Sequence, residues 1–551
     1  MNQNTTPSRD LYAELALAYV PHLAQLVDGN SFSPTYGCFD REYWHYRTLD
    51  FPCGMSQEFV LPFALLYANE YPGNKYRGWE RVRELAVAGI EFAVKGSHKD
   101  GTCDDYFPFE QAMGALVFST YACTEAYRLL GLEDERLLDF FRRRIDHLAK
   151  HNESGRLSNH QALAALAAYN VFELTGDDVY RRVAEDRAAL TLSWQHPEEG
   201  WFQEYEGADP GYHTCTIDFL AKLHQKSGDD ALLGPLLKAV DFAWYFMHPD
   251  GSYGGEYGSR NTYHFYPHGF ELLAPHSVKA GQIADQFLRG AAAGKRYYNE
   301  DDRMCCHLVY NWLQAFADYH PERPARLNER EKSVTWLPDA GLAVVYAKGY
   351  YAVAGLKKGG VVKAFDEGGC LGSDTGLIGE LDDGRAIVSH LQDEEHNVTA
   401  EPEKGAFSVE GAFAYRPTKL SSPFKVIVFR ALNLTLGRFF PNMLRSLIQK
   451  MLITGKERTA YRFRRTLEFG ENSIRIRDEL LDPAPLKRLA AGCDATSIYV
   501  ANSNVYQESR LRIPWQSAPE ELVRQLRINP GVWERHIPPT QDTKPVKQLH
   551  K

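Results

Sequence analysis

The chain has 551 residues, 44% hydrophobic and 24% charged, with a formal net charge of −10. That is ample apolar material for large cores, which excludes disorder as the main state. It also excludes a general nucleic-acid binder, which needs clustered positive charge.

The N-terminal segment, MNQNTTPSRDLYAEL, shows no basic stretch followed by an apolar one, so a secretory signal is not expected. The 9 cysteines are odd in number and scattered without a C-x-x-C spacing. They suit a reducing compartment better than a disulfide framework. No run approaches the roughly 18 apolar residues of a membrane span. These features together predict a cytoplasmic protein, or one working at the inner face of the membrane.

Residues 10 to about 325 read as successive helices. Arg81–Val94 places Val82, Leu85, Ala86, Gly89, Ile90 and Ala93 on one face. Glu135–Ala149 and Leu163–Leu174 repeat the pattern. Loops rich in Gly, Asp, Pro and aromatics fall near Leu49–Gly54, Asp100–Pro108, Asn152–Ser158, Gly200–Tyr212, Asp250–Tyr266 and Asn299–Arg303. They recur at roughly 50 residues, about one αα-hairpin. Six hairpins predict an (α/α)6 toroid, complete or nearly so, over 1–328. Because the breaks share one phase, their loops are expected to gather on one face, with the site among them.

A second regime begins near Lys332. Val334–Leu337, Leu342–Ala347, Tyr350–Leu356, Gly360–Ala364, Ala386–Ser389, Phe407–Phe413, Ala460–Glu468 and Ile474–Leu480 are short and rich in Val, Ile, Tyr, Phe and Thr. They predict an antiparallel β-sandwich over 329–525, and so an α+β multidomain protein. An amphipathic basic insert at about 423–456 interrupts it. Residues 526–551 read as a polar tail. Lys425–Arg465 holds ten basic residues against one acidic residue. Residues 423–465 could therefore contact an anionic membrane surface; the plainer reading is a helix covering the sandwich with its basic side chains in water.

Four loops carry groups suited to hydroxyls and anions: Asp100–Glu110, Ser158–Gln161, Glu199–Tyr212 and Pro249–Thr262. Two chemistries fit. In β-elimination at a uronic acid, the carboxylate next to the acidic carbon must be neutralised and a base must take the proton. A tyrosine near a cation can serve as base and acid. Asn159, His160, Tyr212 and Arg260 supply that set, with Tyr257, Tyr263 and His264 as alternates for the base. Glycoside hydrolysis needs two carboxylates, for which Asp104, Asp105, Glu110, Glu204, Asp209 and Glu256 are candidates. Trp201 would be a sugar platform. Tyr106 and Asn261 complete the expected substrate-binding set.

Each choice has a bland counterpart. Asn159 could simply cap a helix, Tyr212 could pack a loop, and Arg260 could pair with Glu256 or Glu271. No spacing is diagnostic for a metal. No cofactor is expected to be required, although the carboxylates and histidines could hold a structural Ca²⁺ or Zn²⁺.

The Asn159-His160 pair, Tyr212 53 positions after Asn159, and the phrases GADPGY, Asp250-Gly-Ser and GGEYGSRNT resemble the heparinase II/III-like and alginate-lyase-like polysaccharide lyases over about 95–275. The resemblance implies a toroid followed by a sandwich, and a uronate-containing polysaccharide or oligosaccharide as substrate. It further implies Asn159 and Arg260 on the substrate carboxylate with His160 assisting, and Tyr212 as base. Those lyases often carry an H-x-H-x-D-like sandwich motif. His390 and His396 are the nearest counterparts here, and the motif itself is missing. An inverting glycoside hydrolase, a uronate C5-epimerase and a non-catalytic glycan-binding protein remain as alternatives.

Overall fold

A computed structural model describes residues 8–153, 155–295, 302–322, 331–366, 368–416, 422–449, 457–492, 516–517, 521–528 and 532–536. It divides into two compact units. One holds the helical region together with the 419–455 insert, and the other holds the sheets.

In the helical unit, inner and outer helices alternate along the chain. The inner ones are Val60–Ala68, Met113–Leu129, Ser158–Thr175, Pro210–Ser227, Pro267–Leu273 and Cys305–Ala317. Each packs on the next, and Cys305–Ala317 packs on Val60–Ala68, so the ring closes. Outer helices Glu80–Lys95, Glu135–Lys150, Asp178–Ser193, Leu233–Trp244 and Val278–Ala292 back them, and Asp10–Leu26 backs the last. The toroid is therefore complete.

Composition explains which helices lie inside. An inner helix touches neighbours all round and must be apolar or small on every face. Ser158–Thr175 buries Ala162, Ala164, Ala165, Ala167 and Ala168, whose short side chains let three helices approach closely. Glu135–Lys150 is instead amphipathic and buries one stripe, including Leu137, Phe141, Ile145 and Leu148.

All six breaks seen in the sequence precede inner helices. Five of the six inner N-termini therefore share one mouth of the ring, while Pro267–Leu273 begins deeper, its Gly269 N–H bonded to Asp218 halfway along Pro210–Ser227. Their dipoles make that mouth electropositive, and the opposite mouth collects carbonyl ends. At the opposite mouth a cavity of about 450 Å³ is lined by Lys222, Lys226 and Arg128. Cations there complement the helix C-termini. They are also neutralised by side chains: Lys222 pairs with Asp218 at 2.6 Å, and Lys226 with Glu125 at 2.8 Å.

The other unit is a β-sandwich. Its five-stranded sheet is a meander of Ser333–Leu337, Leu342–Ala347, Tyr350–Gly355, Val361–Asp366 and Gly369–Asp374. The second sheet is built around the long antiparallel pair Ala406–Arg416 and Arg458–Phe469, followed by Ser473–Leu480 and Glu521–Arg527. Leu377–Leu381, Ala386–Val388 and Leu486–Ala491 lie on its other side. Alternation sends Phe407, Val409, Phe413, Leu467, Ile474 and Ile476 into one core with Val345, Ala352 and Val362 of the first sheet. The same alternation turns Arg465, Asp478 and Arg524 inward. Arg465 grips Asp478 through two bonds of 2.7 and 2.8 Å, and Asp374 is 3.0 Å from Arg465. Arg524 closes the square on Asp374 and Asp478 at 2.6 and 2.8 Å.

Two expectations about this half are corrected. Val532–His536 pairs with Glu521–Arg527, so sheet structure continues past residue 526, where a polar tail was expected; residues 537–551 lie outside the described set. The insert, helices Pro423–Leu432 and Pro441–Gln449 joined through a π-type turn at Asn433–Gly437, groups with the toroid unit, where it was expected within the sandwich. Residues 450–456 of the expected insert lie outside the described residues. His390 is buried among Lys358, Arg416 and Arg465, and burial lowers it to about 3. His396 is tied by Nδ1 to the Lys357 carbonyl at 2.9 Å and packs on Phe463.

Candidate active site

Glu204 organises the mouth of the toroid. Its Oε1 accepts from the Asn159 backbone N–H at 3.1 Å and from Asn159 Nδ2 at 2.8 Å. Its Oε2 accepts from Arg260 Nη1 at 3.0 Å. Glu204 thus caps the Ser158–Thr175 helix, a task the helix's own N-cap residue, Leu157, cannot perform. Asn159 is therefore not the cap, and Arg260 pairs with Glu204 rather than with Glu256 or Glu271. Burial pushes the Glu204 carboxyl above its ordinary range, against the pull of Arg260 and Asn159.

Asp209 joins the base candidate to the cation candidate. As N-cap of Pro210–Ser227 its Oδ1 accepts from the Tyr212 N–H at 3.0 Å, and its Oδ2 accepts from the Arg260 N–H at 2.9 Å. Thr262 Oγ1 donates to the same carboxylate. Two glycines allow this close join. A Cβ on Gly211 would land on Thr262 Oγ1, and one on Gly254 (φ +67°) would land on the Thr262 carbonyl oxygen. The Asp209 carboxylate is fully buried in these bonds, which makes it a structural brace.

Arg260 then lies with its guanidinium carbon 4.0 Å from the Tyr212 ring centroid and 4.8 Å from that of Tyr205. Tyr205 adopts φ +55°, an uncommon backbone for a tyrosine. Burial pushes the Tyr212 phenol well up, and Arg260 opposes that shift. The expected activation by a nearby cation is present, but burial outweighs it. His264 meets the Tyr212 ring edge-on at 5.3 Å and is held neutral, at about 3, by burial with His307 and Arg260 nearby. Three polar atoms here are buried without a hydrogen-bond partner: Asn159 Oδ1, Arg260 Nε and His264 Nε2. Unmade hydrogen bonds are costly, so their clustering marks a place where a polar ligand would be welcome.

Further round the mouth, His160 Nδ1 lies 2.8 Å from Glu153 Oε1. Arg445 of the insert donates to Glu153 Oε2 at 3.0 Å. Burial would raise Glu153, but His160 and Arg445 hold it below its ordinary range. Asp105 accepts from Cys53 Sγ at 3.0 Å, with Arg303 at 3.6 Å. Burial raises Asp105, against Arg303. Glu110 accepts from the Asp105 and Tyr106 N–H groups at 3.2 and 2.8 Å, and burial plus the Asp105 charge push it up to about 7. Tyr106 itself is exposed, with Arg303 5.5 Å from its ring centroid. Beneath, fully buried Glu58 sits 2.7 Å from His307 Nδ1. Asp104 holds its own loop through His98, Phe109 and Gln111.

The structure thus brings together Asn159, Glu204, Asp209, Tyr212, Arg260 and His264, with His160, Asp105 and Tyr106 on neighbouring loops. It does not bring Trp201 to them as a platform. That ring is buried, stacks on His196 at 5.2 Å and donates Nε1–H to Glu199. Tyr257 is turned to His248, whose Nε2 lies 2.9 Å from its hydroxyl, and stacks on Phe246. Glu256, Asn261 and Tyr263 are buried in the Asp250–Tyr266 loop, Asn261 at φ +59°. Sequence reasoning missed Tyr205, Glu153, Glu58, His307 and Arg445. Arg445 carried a signal, the basic insert, that pointed elsewhere.

No protein-family model matches the sequence, and no curated protein matches it. Solved structures do. The chondroitin AC lyase of Streptomyces coelicolor A3, solved with chondroitin sulphate, matches with a TM-score of 0.52 and 11% identity, over 90% of this chain and 69% of that one. An unsaturated glucuronyl hydrolase of Streptococcus agalactiae matches with a TM-score of 0.38 and 13% identity, over 57% of this chain and 93% of that one. At these identities the likeness is one of fold, and the chain has the toroid-plus-sandwich fold of a polysaccharide lyase.

Proposed function

We propose that the protein is a glycan-processing enzyme that cleaves a uronic-acid-containing polysaccharide or oligosaccharide by β-elimination. The observation that carries this reading is Tyr212, buried beside the Arg260 guanidinium at 4.0 Å and beside neutral His264. The fold shared with a chondroitin AC lyase supports it.

In this reading the substrate carboxylate sits against Arg260 Nε and His264 Nε2, the atoms left without partners. Asn159 Nδ2 and Arg260 Nη1 are held by Glu204. Tyr212, as phenolate, takes the proton from C5. The electrons of that C–H bond form the C4=C5 double bond, and the C4–O bond breaks. In this reading the leaving oxygen receives that proton back from Tyr212. Charge building on the carboxylate meets Arg260 and the positive ends of the inner helices. His160, held by Glu153, assists from the next loop.

Hydrolysis is the second reading, favoured by one observation. Glu110, at about 7, would keep about half of its population protonated at neutral pH beside the raised Asp105, as an acid catalyst needs.

The test is an ultraviolet scan of the purified chain with a panel of uronate-containing polysaccharides, with Tyr212→Phe in parallel. Elimination gives a conjugated unsaturated uronate that absorbs, and the variant should abolish the rise. New reducing ends without that absorbance, or full activity in the variant, would overturn the proposal. Solvent deuterium entering uncleaved polymer would point to an epimerase instead.

A further inference from the structure

The insert Pro423–Gln449 has two unlike faces. One faces the mouth of the toroid. Phe429 packs edge-on against Phe107 at 5.8 Å, and Arg438 lies over the Phe109 ring at 5.7 Å. Arg430 pairs with Asp50 at 3.1 Å and Arg445 with Glu153 at 3.0 Å. Those partners belong to three of the loops that precede inner helices. The buried positions Asn433, Gly437 and Leu444 recur at helical spacing on this side.

The other face is apolar and in solvent. Phe424 is 74% exposed, Ile427 66%, Leu434 52%, Phe439 72%, Phe440 56% and Met443 58%. Soluble surfaces rarely gather so many large apolar side chains in one place. Residues 423–449 contain no Asp or Glu, and their four charges are Lys425, Arg430, Arg438 and Arg445. Lys425 is exposed next to Phe424, and Arg438, at the border of the two faces over Phe109, is still exposed next to Phe439. Among the described residues no helix is long and apolar enough to cross a membrane. Short helices with phenylalanines and aliphatics outward, basic residues alongside and no acids match a surface that is both apolar and anionic.

We infer that Pro423–Gln449 seats the toroid unit on an anionic phospholipid surface, with its phenylalanines at the level of the headgroups and upper acyl chains. Because the same segment touches three mouth loops, docking sets the candidate active site at the bilayer. Glycan attached to lipid, or emerging at the membrane, is then presented to it. The docking itself stands whichever chemistry the mouth performs; only the substrate's location rests on the proposed function.

The experiment is flotation of the full chain with vesicles of phosphatidylcholine alone and of phosphatidylcholine with one-third phosphatidylglycerol, at low and physiological salt. The triple variant Phe424→Ser, Phe439→Ser, Phe440→Ser is run in parallel. All three residues are exposed, and circular dichroism and the thermal midpoint check that it folds. Binding to the anionic vesicles, weakened by salt and reduced at least tenfold in the variant, is the expected result. Failure of the wild type to float with anionic vesicles at low salt would overturn the proposal, as would equal flotation of the variant. Light scattering supplies the other arm. A wild-type dimer that the triple substitution makes monomeric would identify a second copy as the occupant and would also overturn it.

Discussion

The guanidinium of Arg260 lies over the ring of Tyr212 at 4.0 Å, and both residues are fixed by one carboxylate, Asp209, through their backbone N–H groups. Base and cation are therefore positioned as a unit. Moving the Asp250–Tyr266 loop moves the start of the Pro210–Ser227 helix with it.

This arrangement gives a sign to the pH dependence. Burial pushes the Tyr212 phenol up and Arg260 pulls it back, so the phenolate increases as pH rises. Elimination should accelerate from neutral into alkaline pH. Arg260→Met removes the pull, so the rising limb of kcat against pH should move to higher pH, and kcat at pH 8 should fall about 10²- to 10³-fold. Arg260→Lys should show the smaller shift. Rate–pH profiles from the ultraviolet assay decide this, and superimposable limbs in wild type and Arg260→Met would contradict it.

Glu204 should matter for folding before it matters for rate. Glu204→Gln leaves the buried Arg260 without its countercharge, which typically costs about 3–5 kcal/mol. The unfolding transition of the helical unit should shift to clearly lower urea, while the sandwich transition stays in place. Tryptophan fluorescence and far-ultraviolet dichroism followed together would separate the two. A single unshifted midpoint would show that Glu204 carries little of the local stability.

The buried square in the sandwich predicts an acid sensitivity of its own. Burial alone would raise Asp478, but Arg465 and Arg524 outweigh it and hold the carboxyl below the ordinary aspartate range. A group with a lowered folded pKa stabilises fully above its unfolded value of about 4. That contribution is lost as pH falls through the lower, folded value. Asp478→Asn should therefore destabilise the sandwich at neutral pH, by about 3 kcal/mol or more, and flatten the fall below pH 4. Denaturation midpoints between pH 3 and 7 test both parts.

Much of the architecture was legible in the sequence because hairpins repeat. Every loop picked out by its glycines, aspartates and aromatics precedes an inner helix, since the chain must turn sharply there and turn residues cluster where it does. Asn159, Tyr212 and Arg260 meet because they open the third and fourth inner helices and the loop before the fifth. The partners of the charges were not legible. Glu204 looked like one loop carboxylate among several, and only the folded ring shows that it caps one helix and holds the arginine of another loop. Trp201 and Tyr257 were misread because an aromatic beside glycines looks the same whether it faces a ligand or stacks on a neighbouring histidine. The strands Gly369–Asp374, Leu377–Leu381, Asn397–Glu401, Leu486–Ala491 and Glu521–Arg527 were not legible in the sequence. Glycines, acidic or basic residues dilute their apolar alternation, and pairing with neighbours defines them.

The closed ring has a consequence for how the chain is made. Among the described helices Asp10–Leu26 is made earliest, yet the helix it backs, Cys305–Ala317, comes some three hundred residues later. At about 5–20 residues per second, this first helix waits many seconds for its partner. During that time its buried face, with Tyr12, Ala16 and Leu23, has nothing native to cover it. Arg303 and His307 also arrive only with that last hairpin. The mouth can take its final form only after the ring has closed, so a chain cut before about residue 320 should hold most of the toroid's helices and no complete site.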